Sequence, residues 1–150
     1  MKGMLGCPKC GKKFPLKEIK VKTVIVDQCP NCEGVWFDFK GQELLEILKR
    51  GYDNLPEELK KSWEGSVGVE RGKEGSYQCP RCGNRLSNYW YCAEKNKTFL
   101  IDGCPKGCGV WLDDGELKKA YQYVEPYLPK IKEGEIKKGI FMKLWNYWQK

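Results

Sequence analysis

Cys29-Pro30-Asn31-Cys32-Glu33-Gly34-Val35-Trp36-Phe37-Asp38 and Cys104-Pro105-Lys106-Gly107-Cys108-Gly109-Val110-Trp111-Leu112-Asp113 are two copies of one block in a chain of 150 residues. Each copy follows a Cys-Pro-x-Cys pair, Cys7/Cys10 before the first and Cys79/Cys82 before the second. Four cysteine pairs arranged as two similar modules predict two metal-bound units. A module of roughly forty residues is too small to rest on a hydrophobic core alone, and a bound metal supplies the missing stability.

Working outward, each block is preceded by a β-hairpin pattern. Between Phe14 and Asp27, Ile19, Val21, Thr23 and Ile25 alternate with Lys20, Lys22 and Val24, a period of two that predicts strands with a turn near Lys20–Thr23. In the second module the strands fall at Arg85 to Ala93 and Thr98 to Asp102, around the polar turn Glu94-Lys95-Asn96-Lys97. After each Val-Trp the pattern predicts a helix. Asp113 and Glu116 fit a capping box, with Asp113 as N-cap. Leu44, Leu45, Ile47 and Leu48 give the first helix an apolar face that ends near Gly51.

The expected organisation is a first module with its helix over 1–50, a linker over 51–76 with a short helix from Pro56 to Trp63, a second module over 77–124 and a helical tail over 125–150. The fold class is a small metal-bound α+β protein: two zinc-ribbon modules, each a β-hairpin plus a short helix, and a C-terminal amphipathic helix. In that tail helix Phe141, Leu144, Trp145 and Trp148 recur at helical spacing.

The chain has nine cysteines and no histidine. Any metal site is therefore sulfur-rich, and the commonest general base is missing, which argues against hydrolase chemistry. The spacings are Cys-x2-Cys-x18-Cys-x2-Cys and Cys-x2-Cys-x21-Cys-x3-Cys. They predict two zinc ribbons, with Cys7, Cys10, Cys29 and Cys32 on one ion and Cys79, Cys82, Cys104 and Cys108 on the other. Two Zn2+ are expected, with iron as the second candidate, because Cys7–Gly11 and Cys79–Gly83 also resemble rubredoxin knuckles. Four thiolates close each site and leave no position for a substrate, so no enzymatic role is expected. Cys92 reads as a small apolar strand residue.

No apolar run approaches the ~18 residues that span a bilayer, and the first cysteine comes too early for a signal peptide. A cytoplasmic location, where thiols stay reduced, is expected. The formal charge is +7, and two tetrathiolate zinc sites would lower it to about +3. Lysines concentrate in residues 1–26, against the single acid Glu18, and again in residues 118–150.

Cys-Pro-x-Cys, a hairpin ending in Val/Ile-Asp-x-Cys-Pro, then Gly-Val-Trp-Leu-Asp-x-Gly-Glu-Leu resembles the transcription factor IIB-like zinc-ribbon family of small prokaryotic proteins, in two tandem copies. The resemblance covers roughly residues 5–48 and 77–120 and leaves out the linker and the tail. It implies zinc binding and a transcription or nucleic-acid role. Trp36 and Trp111, between knuckle and helix, are expected to be hydrophobic plugs rather than base-stacking platforms.

Two functions compete. In the first, Lys9, Lys12, Lys13, Lys17, Lys20 and Lys22 contact nucleic-acid phosphates while Phe14, Tyr89 and Tyr91 stack on bases. In the second, the ribbons are a scaffold for an adaptor, and Phe141, Leu144, Trp145 and Trp148 form a partner or self-association surface.

Overall fold

A computed structural model of the protein describes residues 5–38, 43–65, 77–94 and 97–125. The tail helix expected over 135–149 lies outside the described residues, and with it Phe141, Leu144, Trp145 and Trp148.

The first module opens with β1 (Gly6–Cys7) and β2 (Gly11–Pro15), a small antiparallel pair that brackets the first knuckle. The predicted hairpin follows as β3 (Lys17–Val21) and β4 (Val24–Gln28), paired from Lys17↔Gln28 to Val21↔Val24. Its two-residue turn places Lys22 at φ 56. Ile19, Val21, Val24 and Val26 are all buried, as alternation requires of a sheet with one covered face. The second module repeats the hairpin with β6 (Ser87–Glu94) and β7 (Lys97–Gly103).

Each module then adds a strand that the local pattern does not reveal. Val35–Asp38 is β5 and Gly109–Leu112 is β8. The helix predicted after each Val-Trp does not follow directly; the two stretches are extended and pair with each other, antiparallel, as Val35↔Leu112, Trp36↔Trp111, Phe37↔Val110 and Asp38↔Gly109. The two ribbons thereby share one six-stranded sheet in the order β3-β4-β5-β8-β7-β6. In the repeat Val35 corresponds to Val110 and Phe37 to Leu112. The pairs Val35↔Leu112 and Phe37↔Val110 therefore exchange under a local two-fold rotation, with Trp36↔Trp111 on its axis. A four-residue strand whose partner lies far along the chain leaves no mark on local periodicity, which is why Trp-Phe-Asp reads as a helix start.

Among the described residues, three helices cover one face of the sheet. They are α1 (Glu43–Arg50), α2 (Glu57–Glu64), which follows a 3-10 turn over Tyr52–Asn54, and α3 (Glu116–Val124). Helical spacing aims Leu44, Ile47 and Leu48 of α1, Leu59 and Trp63 of α2, and Leu117 and Ala120 of α3 into one buried cluster with Val26, Val35, Phe37, Ile101, Val110 and Leu112 of the sheet. The segment read as a linker thus supplies Leu55, Leu59 and Trp63 to the core. Trp63 packs between Tyr52 and Tyr121, with ring centroids 6.0 and 5.1 Å away. At the end of α2, Gly65 takes a left-handed conformation, φ 75. A Cβ there would lie 3.3 Å from the Gly115 Cα, so the start of α3 approaches closely. The Gly115 N–H also donates to the Ser62 carbonyl at 2.7 Å.

Phe37 is 1% exposed and sits where both modules contribute to the core. Phe37→Ala is expected to cost about 3–5 kcal/mol. In urea denaturation of the metal-loaded protein, both modules should lose structure in one transition at a lower midpoint.

Candidate metal centre

Each cysteine pair sits in a tight turn closed by a residue in the left-handed region. Gly11 (φ 92), Glu33 (φ 62), Gly83 (φ 80) and Gly107 (φ 80) take that place in the four knuckles. The turns aim backbone N–H groups at the leading sulfur: Cys10 donates to Cys7 Sγ at 3.2 Å, Cys32 to Cys29 Sγ at 3.5 Å, and Arg81 and Cys82 to Cys79 Sγ at 3.4 and 3.5 Å. Such donors stabilise thiolate charge.

The wider fourth knuckle has a simple geometric cause. Cys29 N–H donates to the Gly34 carbonyl at 3.0 Å, and Cys104 N–H donates to the Gly109 carbonyl at the same distance. The two loops therefore close identically. In the fourth knuckle the left-handed residue, Gly107, comes one position earlier than Glu33 does in the second, and the second thiol comes one position later. The extra residue between the cysteines is offset by one fewer after them, so the following strand keeps its register.

The turns bring the eight predicted thiols into two groups, Cys7, Cys10, Cys29 and Cys32, and Cys79, Cys82, Cys104 and Cys108, with all four sulfurs of a group within 4.8 Å of one another. Cys7 and Cys32 Sγ are 3.8 Å apart and Cys82 and Cys104 Sγ 3.5 Å apart. A tetrahedron with metal–sulfur bonds of ~2.3 Å has edges of about 3.8 Å, so the donor sets fit a tetrahedral, thiophilic ion. Side-chain amides support the rim, with Asn31 Nδ2 donating to Cys10 Sγ at 3.4 Å and Asn84 Nδ2 to Cys82 Sγ at 3.3 Å. The first group is the more buried; Cys82 of the second is exposed.

The surroundings of the thiols differ in how firmly they hold a proton. Hydrogen bonding from Cys29 and Cys32, reinforced by burial, holds Cys7 above the ordinary thiol range. Burial does the same for Cys79. Cys82, hydrogen-bonded by the backbone of Asn84, is pulled down to about 7. Protonated thiols must release protons to a metal, so metal affinity falls as the pH drops.

Behind the thiols, Cys7, Cys29, Cys32, Cys79 and Cys104 pack in one cluster with Trp36, Trp111, Leu16, Tyr77 and Leu86. Both tryptophans are fully buried. They are plugs, as expected, but each crosses to the other module. A Cβ on Gly34 would lie 2.2 Å from Trp111 Cζ2, and one on Gly109 would lie 2.7 Å from Trp36 Cζ2 and 2.3 Å from the Phe37 carbonyl oxygen. Each knuckle glycine thus makes room for the opposite indole.

The profile of the transcription factor zinc-finger family matches residues 6–50 and 78–123, two stretches that hold all eight clustered cysteines. The chain belongs to that family. No curated protein and no solved structure shows a significant match. As a tandem zinc-finger protein of this family, it carries two zinc ribbons.

Asp113 has a role other than the helix cap expected of it, and Asp38 shares that role. Trp36 Nε1 donates to Asp38 Oδ1 at 2.9 Å, and Trp111 Nε1 to Asp113 Oδ1 at 3.0 Å. Residues i and i+2 of a strand share a face, so Trp-x-Asp places a carboxylate beside each buried indole N–H. That spacing was readable in both copies. Helix α3 starts two residues later than expected, with Gly115 rather than Asp113 at its N-cap and no side-chain cap. The second carboxylate partner differs between modules. Asp113 accepts from the Tyr77 hydroxyl at 2.9 and 3.1 Å, whereas Asp38 takes two bonds, 2.9 and 2.6 Å, from Arg81 of the other module. The side chains of Cys92, Tyr89 and Tyr91 lie outside the described residues.

Two outcomes follow for the zinc-finger protein. Metal analysis should give two ions per chain, and a strong chelator should release both with loss of the near-ultraviolet tryptophan signal, because Trp36 and Trp111 share one buried cluster with cysteines of both sets. Gly34→Ala should lower the thermal midpoint with a destabilisation of about 1–3 kcal/mol, the usual cost of overpacking. Pairing it with Trp111→Phe, which shortens the clashing ring, should recover part of that loss.

Proposed function

We propose that the protein is a non-catalytic, zinc-loaded nucleic-acid-binding protein associated with transcription and acting in the cytoplasm. The observation that carries this reading is the surface of β2 and β3. Phe14 is 37% exposed, the one exposed large hydrophobic side chain among the described residues. It lies on β2 beside Lys12 and Lys13, with Lys17 and Lys20 on β3 and Lys22 in the turn, all of them exposed; Lys9 is half-buried in the first knuckle. An aromatic ring amid lysines suits single-stranded nucleic acid, where bases stack and phosphates pair with cations. The family's description as a transcription factor zinc-finger supports the same reading.

The absence of histidine and the closure of each site by four cysteines favour a structural metal over catalysis. The donor set suits zinc; a colourless preparation agrees with it, and strong visible absorption would indicate iron. Among the described residues no helix is long and apolar enough to cross a membrane.

Fluorescence anisotropy with a labelled single-stranded oligonucleotide checks the reading. Affinity should fall steeply with salt, and Phe14→Ala should weaken binding about tenfold, given ~1–3 kcal/mol per stacked base. No binding at low salt, or binding indifferent to salt, overturns it.

A further inference from the structure

We propose that the cleft between the β3–β4 hairpin tip and the end of α1 is a phosphate-binding site. It is lined by Lys20, Val21, Lys22, Lys49, Arg50, Asn54 and Pro56 and encloses about 570 Å³. The inference deepens the nucleic-acid reading by giving the basic hairpin a concave phosphate contact that includes Lys49 and Arg50, which no motif points to.

Four cationic side chains from two separate elements converge on this cleft, and among the described residues no carboxylate lines it. None of the four has an ion-pair partner among the described residues, whereas Arg81 pairs with Asp38 and Lys60 with Glu57. Arg50 is half-buried, and its Nε is buried without an acceptor among the described residues. A buried donor without an acceptor is costly, and an anion bound in the cleft would supply one.

The end of α1 would itself repel an anion, with a partial charge of about −0.5. Two bonds blunt that effect: the Gly51 N–H donates to the Leu48 carbonyl at 3.2 Å, and Asn54 Nδ2 donates to the Arg50 carbonyl at 2.9 Å. Four full positive charges outweigh what remains. The neighbouring cleft around Tyr52 shares Arg50 but is lined by Asp53 and Glu125, which disfavour a phosphate there. Among the described residues, the cleft between the two leading knuckles has two cationic side chains, Lys9 and Lys12. Arginine suits phosphate through its planar fork of donors, and lysine through its mobile point charge.

The phosphate could belong to a nucleic-acid backbone or to a free polyphosphate, and NMR titration of the full zinc-loaded chain separates the two. One arm uses a twelve-nucleotide single strand and the other inorganic pyrophosphate. The amides of Lys20, Lys22 and Lys49 and the Arg50 Nε–H signal should shift with the oligonucleotide. Lys22→Gln/Lys49→Gln should weaken binding at least tenfold and reduce the salt slope by about 0.7 for each lysine removed. Lys61→Gln/Lys106→Gln, with the same charge change elsewhere on the surface, should have little effect.

Shifts at the cleft with pyrophosphate alone support the site and overturn its nucleic-acid assignment. Oligonucleotide binding with shifts confined to β2, unaltered by Lys22→Gln/Lys49→Gln, overturns the cleft and leaves the nucleic-acid reading standing. No cleft shifts in either arm at millimolar probe overturn the site.

Discussion

The antiparallel pairing of β5 with β8 is the constraint on which the rest of this structure depends. A single ribbon of this kind ends in a short strand with an unpaired edge and a large indole on one face. Such an edge invites association with another strand. Here the second copy of the same block satisfies it, in the register that puts Trp36 opposite Trp111. Alternation then sends Val35, Phe37, Val110 and Leu112 to the helical side and the two indoles to the metal side. One strand pair therefore joins the two cores as well as the two modules.

This joining explains why Gly34 and Gly109 flank the knuckles. Each indole needs the space of a missing Cβ in the opposite module, so the two glycines and two tryptophans form one interlocked set. The buried indole N–H groups then require acceptors, and Asp38 and Asp113 supply them from two residues further along the same strands. The remaining capacity of these carboxylates is filled unequally. Tyr77 completes Asp113 within its own module, while Arg81 reaches across to Asp38. The bond from Arg81 is half-exposed and screened by solvent, so it orients the modules more than it stabilises them.

The metal ligands were fully legible because cysteine pairs at knuckle spacing have few other uses in a reduced chain, and because the repeat confirmed each pair by its twin. The hairpins were legible through the alternation from Ile19 to Ile25 and through the polar turn at Glu94–Lys97. The helices α1 and α2 were legible through Leu44, Ile47 and Leu48 and through the Pro56 start. Two readings failed for one reason. The strand at Val35–Asp38 depends on a partner far along the chain, and Asp113 meets the Trp111 indole N–H because its own stretch is extended rather than helical; a window of a few residues sees only a tryptophan followed by an acid near a helix. The packing of Leu55, Leu59 and Trp63 in the core was hidden in the same way, since a short amphipathic helix declares an apolar face but not what that face will meet.

By itself, the sequence determined the chemistry: eight thiols in two sets, hairpins between them, no histidine, and lysines gathered on the first hairpin. These are local properties, set by residue type and by spacings shorter than one module. Only the tertiary structure decided that the modules share a sheet, that each tryptophan serves the opposite knuckle, and that Lys49 and Arg50 of α1 meet Lys20 and Lys22 at one cleft. Those outcomes depend on the register between segments far apart in the chain, which is selected by packing and by the pairing of exposed strand edges rather than by local preference.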